Sequence, residues 1–139
     1  MLFRHAGRAL LATALVCAGH AALADGFQTP SGNIHCSADD WDGTAELRCD
    51  ILSNAAVLPA RPSDCDLDWG NAFVVSARSR RAIRACVGDT VLDPNHPVLH
   101  YGSKWEQHGF ICSVDTDGVD CSNRHGNGFA LSKKRQTLR

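Results

Sequence analysis

The chain has 139 residues, with 14 Lys and Arg against 15 Asp and Glu and a net charge of −1. That balance supplies no basic field to neutralise phosphates, which argues against nucleic acid as a partner. The length suits one domain, and seven cysteines in so short a chain direct attention to crosslinks.

Residues 1–24 read as a secretory signal. Arg4 and Arg8 make a positive start, residues 9–18 are apolar apart from Thr13, and Ala22-Leu23-Ala24 is a small-x-small cleavage motif. The apolar run falls short of the roughly 20 residues that span a bilayer. A lipoprotein site at Cys17 is disfavoured because bulky Val16 precedes it. Cleavage leaves residues 25–139 as one exported domain, periplasmic or extracellular, with no membrane span. Cys17 departs with the leader. Cys36, Cys49, Cys65, Cys86, Cys112 and Cys121 remain, an even set that reads as a disulfide framework in an oxidising compartment.

Strand signals dominate the mature chain. Residues 33–36 and 46–51 read as two strands around a loop at 37–45 rich in Asp and Gly, because Leu47, Cys49 and Ile51 alternate with Arg48 and Asp50. Asp64, Asp66 and Asp68 alternate with Cys65, Leu67 and Trp69, a strand or turn with a wet face. Residues 71–86 are ambiguous. Strands at 73–76 and 82–87 around a basic turn are preferred. The alternative is a helix near 72–86, with Arg78, Arg81 and Arg84 on one face. Residues 110–114 and 119–122 make a hairpin turned by Asp115-Thr116-Asp117-Gly118. The tail from residue 132, with Lys133-Lys134-Arg135, is expected to fray. The expected fold is mostly β: a small, disulfide-stabilised antiparallel sheet or barrel-like domain, with α+β as the alternative.

Order pairing is one of 15 ways to connect six cysteines. The two hairpins support Cys36–Cys49 and Cys112–Cys121 and leave Cys65–Cys86 by elimination. The segment from Gly32 to Cys36 with Leu47 to Asp50 also echoes Gly109 to Cys112 with Val119 to Ser122, so two crosslinked hairpins could face each other in one sheet or barrel.

The motifs Pro30-Ser31-Gly32-Asn33-Ile34-x-Cys36, Leu47-Arg48-Cys49-Asp50-Ile51, Cys86-x-Gly88-Asp89-Thr90, Gly118-Val119-x-Cys121-x-Asn123 and Gly128-Phe129-x-Leu131-Ser132 occur in this order. Together they resemble a domain-of-unknown-function family of small exported bacterial proteins. The resemblance implies export, disulfides and a compact domain, and it implies no activity.

Catalytic signatures are missing from the sequence. It contains no Gly-x-Ser-x-Gly, no His-Glu-x-x-His and no Cys-x-x-Cys. No catalytic residue, cofactor or metal is therefore assigned. His96 and His100 are spaced for one helix face, but Pro94 and Pro97 oppose a helix there. The stretch 99–108 mixes rings with polar tips, a composition enriched at recognition surfaces, so Tyr101, Trp105, His100 and His108 form the expected binding surface. Arg78, Arg80, Arg81 and Arg84 are a second candidate, for an anionic partner. The expected function is a non-enzymatic binding or envelope-interaction domain with an unknown extracytoplasmic ligand or protein as partner. The alternatives are a small hydrolase with a His/carboxylate site around His100 and His108, and an inhibitor of a secreted enzyme.

Overall fold

The structure, a computed structural model, describes residues 24–139. The leader and Cys17 lie outside the described residues. The first sheet contains β1 (Gly26–Gln28), β2 (Ile34–Trp41), β3 (Thr44–Ile51), β4 (Asp68–Ser76) and β5 (Ile83–Val87). The second contains β6 (Lys104–Gln107), β7 (Phe110–Asp115), β8 (Gly118–Ser122), β9 (Gly128–Leu131) and β10 (Gln136–Leu138). Each sheet is an antiparallel meander in chain order, and the described residues contain no helix.

The two sheets repeat one pattern. Across the first runs the row Phe27, Cys36, Cys49, Phe73, each residue directly opposite the next. Across the second runs Trp105, Cys112, Cys121, Phe129. The rows meet in the core: Phe27 packs on Trp105 with ring centroids 5.3 Å apart, and Phe73 on Phe129 at 6.2 Å. Such tilted ring pairs add attraction beyond their buried area. Between them lie the two cross-strand disulfides, Cys36–Cys49 and Cys112–Cys121, with no exposed surface. The hairpin echo in the sequence thus marks equivalent second and third strands. They face each other from two sheets of a sandwich rather than within one sheet.

The third disulfide, Cys65–Cys86, ties the segment after β3 to β5. The connectivity is that of the order pairing. Three disulfides match an oxidising compartment outside the reducing cytoplasm.

Two expectations change and one ambiguity is resolved. Residues 37–45 are mostly strand: β2 and β3 run on to a two-residue turn, Asp42-Gly43, where both residues have positive φ. That is the backbone a tight hairpin needs, and Asp-Gly supplies it. The ambiguity over residues 72–86 resolves as preferred, with strands β4 and β5 in place of the alternative helix. Their period is hidden because both faces are covered: Phe73 and Val75 enter the main core, while Ala72 and Val74 join Ala85 in a second apolar cluster. The tail is not frayed. Residues 136–138 form β10 against β9, and Arg139 donates to and accepts from Gly128 while its carbonyl also accepts from Ala82.

On the outer face of β3, Asp50 is buried. Its carboxylate accepts from Arg48 Nε at 2.8 Å and Nη2 at 2.9 Å, from Thr90 Oγ1 at 2.9 Å and from the Val91 backbone N–H at 3.1 Å. Arg48 also reaches Asp89 at 2.6 Å. This network fastens residues 89–91 onto the sheet.

Candidate functional site

The seam where β5 of one sheet approaches β10 of the other carries a groove of about 940 Å³. Ile83 and Leu138 supply apolar floor, residues 56–59 form one wall, and residues 134–136 the other. Val57 is 98% exposed and Ile83 56%, so the groove presents apolar surface to solvent. Its lining includes Arg81, Arg84, Lys134 and Arg135 and no carboxylate. None of these four cations has an acidic partner among the described residues.

Long-range bonds hold the walls. Trp69 Nε1 donates to the Pro59 carbonyl at 3.1 Å, and the Ala55 backbone N–H donates to the Lys133 carbonyl at 2.7 Å. Asn54 Oδ1 accepts from Ala56 N at 3.0 Å and from Gln136 Nε2 at 3.1 Å, so one side chain joins both walls. Gly70 has φ +117° beside a register shift in β4, and a Cβ there would stand 2.7 Å from Leu58 Cδ1. Glycine lets Leu58 lie close over the strand.

Arg84 is the most constrained cation. Its guanidinium lies 4.6 Å over the Phe73 ring, Nη1 donates to the Gly70 carbonyl, and Nη2 reaches Gln136 Oε1 at 3.4 Å. Its Nε is buried without a hydrogen-bond partner. Partial burial lowers its pKa from the ordinary guanidinium value, yet an arginine stays charged in a protein. A half-buried cation without a counter-charge favours an anion beside it.

The four residues of the expected surface are dispersed. Trp105 is a core residue, 8% exposed, with Nε1 donating to the Ala24 carbonyl at 3.1 Å. It points inward while Lys104 and Glu106 point out, so it is removed from the candidate surface. His108 occupies a tight turn with Gly109, both at positive φ, and its Nε2 lies 3.3 Å from Asp25 Oδ1. Asp25 also accepts from Gln107, and these two hydrogen bonds hold its pKa below the usual carboxylate value. His100 is exposed and stands apart. Tyr101 lines a cleft of about 550 Å³ together with Asp115, Asp117, Lys133 and Lys134.

Of the second candidate group, Arg81 and Arg84 enter the groove, while Arg78 and Arg80 do not line it. Their partners Lys134 and Arg135 come from the stretch expected to fray. The three sulfurs of Cys36, Cys49 and Cys121 lie within 4.8 Å of one another, but all are engaged in disulfides. No helix among the described residues is long and apolar enough to cross a membrane.

The model of a family described as of unknown function matches residues 9–139. No curated protein and no solved structure matches the chain.

Proposed function

The chain belongs to the family of unknown function DUF6636, and because the function of that family is unknown, we propose from this chain's own surface that it is an exported, non-enzymatic binding domain whose β5–β10 groove holds an anionic, partly apolar ligand. The carrying observation is Arg84, half-buried with an unpartnered Nε, in a groove that has four cations and no carboxylate. Exposed apolar side chains beside unpaired cations favour a ligand with both characters. The signal-like leader and three disulfides support an extracytoplasmic site of action, in the periplasm or after release.

Anilinonaphthalene sulfonate, an anion with aromatic rings, tests this directly. Saturable binding that weakens with salt and falls about tenfold in an Arg81→Glu/Arg135→Glu double variant is expected. Both residues are exposed and neither has an acidic partner among the described residues, so the fold should survive. Equal binding by the folded variant would remove the proposal.

A further inference from the structure

The groove runs beside two open sheet edges. β5 is the terminal strand of the first sheet and β10 of the second, so each has one side of its backbone without a strand partner. On β5, residues 84–87 bond to β4, and no other backbone or side-chain group among the described residues bonds to their backbone. An exposed edge is a template for another strand, and natural proteins normally blunt it with charge, a bulge or a cover. By contrast, the free edge of β1 is partly covered, because Gln28 bonds the backbone of Pro97 and Leu99.

We infer that the ligand of the proposed groove is an extended acidic segment of another protein, added as a strand along β5. This deepens the groove reading and rests on it. A strand laid on β5 would satisfy its free N–H and C=O groups. Alternate side chains would then face the sandwich seam, where Arg84 lies over Phe73 with Leu138 and Arg135 nearby, and the outer face, where Ile83 stands opposite Val74 and offers an apolar contact.

A second copy of this chain fits poorly. In the antiparallel register that sets residues 81–84 of two copies opposite each other along the groove, pairing of β5 with itself would bring Arg81 and Arg84 of one molecule against those of the other, with Lys134 and Arg135 adding to the repulsion. Like charges across paired strands are destabilising. The cations therefore reject self-pairing and admit an acidic strand, a form of specificity by exclusion.

The test uses the folded protein and a labelled peptide of alternating Val and Glu. A second peptide is N-methylated at every residue, which keeps charge and apolarity but removes the N–H donors of both edges. Vesicles of anionic phospholipid form a third arm. The inference expects saturable binding of the first peptide, binding weaker by about tenfold for the N-methylated peptide, and loss in Arg81→Glu/Arg135→Glu. Equal binding of both peptides, lost in the charge-reversed variant, overturns strand addition and leaves the groove reading standing. Vesicle binding without peptide binding, again lost in the variant, overturns the protein-segment assignment in favour of a lipid surface. Peptide and vesicle behaviour unchanged in the folded variant overturns both the inference and the groove reading.

Discussion

Cys49 and Cys121 belong to different sheets and different disulfides, yet their sulfurs lie within 4.8 Å of each other in the middle of the sandwich. Two crosslinked hairpins, each flanked by an aromatic residue on either side, meet there. The scaffold is built by doubling one hairpin motif, and the groove opens at one edge of the doubled structure.

Burial should order the chemistry of the three disulfides. Cys36, Cys49, Cys112 and Cys121 have no exposed surface, whereas Cys86 is partly exposed on an edge strand. A thiolate must reach the sulfur to exchange with it. Limited reduction of the native protein, trapped by alkylation and read by mass spectrometry, is expected to open Cys65–Cys86 first. Earlier opening of either core pair would contradict this packing.

Cys65–Cys86 closes a sequence separation of 21 residues and holds the segment that walls the groove. The chain-entropy model assigns such a loop about 3 kcal/mol. A Cys65→Ala/Cys86→Ala variant should keep the two-sheet core, lose about that stability in urea, and show faster amide exchange over residues 52–67. Protection in that segment equal to wild type would show that the disulfide is dispensable for the wall.

Asp50→Ala removes four hydrogen bonds and leaves the largely buried Arg48 with only its bonds to the exposed Asp89. Breaking a buried pair from one side costs about 3–5 kcal/mol, and the surviving Arg48–Asp89 pair puts the expected loss at the low end of that range. Urea unfolding should show that loss, with residues 89–91 losing exchange protection. A change below about 1 kcal/mol would mean that the network contributes little beyond the packing beneath it.

Three carboxylates, with Asp25 and Asp89 exposed and Asp93 half-buried, carry lowered pKa values: Asp25 through hydrogen bonds from Gln107 and His108, Asp89 through Arg48, and Asp93 through the Asn95 backbone. A lowered folded pKa stabilises above the unfolded value, near about 3.9, and that stability is lost as pH falls through the folded value. The urea midpoint should therefore drop as pH is lowered below about 4, and Asp89→Asn should make the drop shallower. Stability that rises on acidification would contradict the sign.

Much of the scaffold was legible because its signals are local. Asp117-Gly118 and the alternation of Cys112 with Ser113 identify the β7–β8 hairpin within a few residues. The Asp42-Gly43 turn carries the same chemistry, but Asp39, Asp40 and Trp41 are exposed at the hairpin tip, so the strand ends show no apolar period. Trp105 alternates with Lys104 and Glu106, which is a core-facing pattern, although its polar neighbours gave it the look of a surface residue. β10 was hidden because its position depends on bonds from Arg139 to Gly128 and Ala82, far away in sequence. The groove is hidden for the same reason. Its cations come from residues 81–84 and 134–135, and no local pattern records that they meet.

The most direct measurement of the central claim is an amide chemical-shift titration of the native protein with anilinonaphthalene sulfonate. The account predicts that perturbations concentrate at residues 56–59, 81–84 and 134–138. Perturbations centred on Tyr101, Asp115 and Lys133, or spread evenly over the surface, would contradict it.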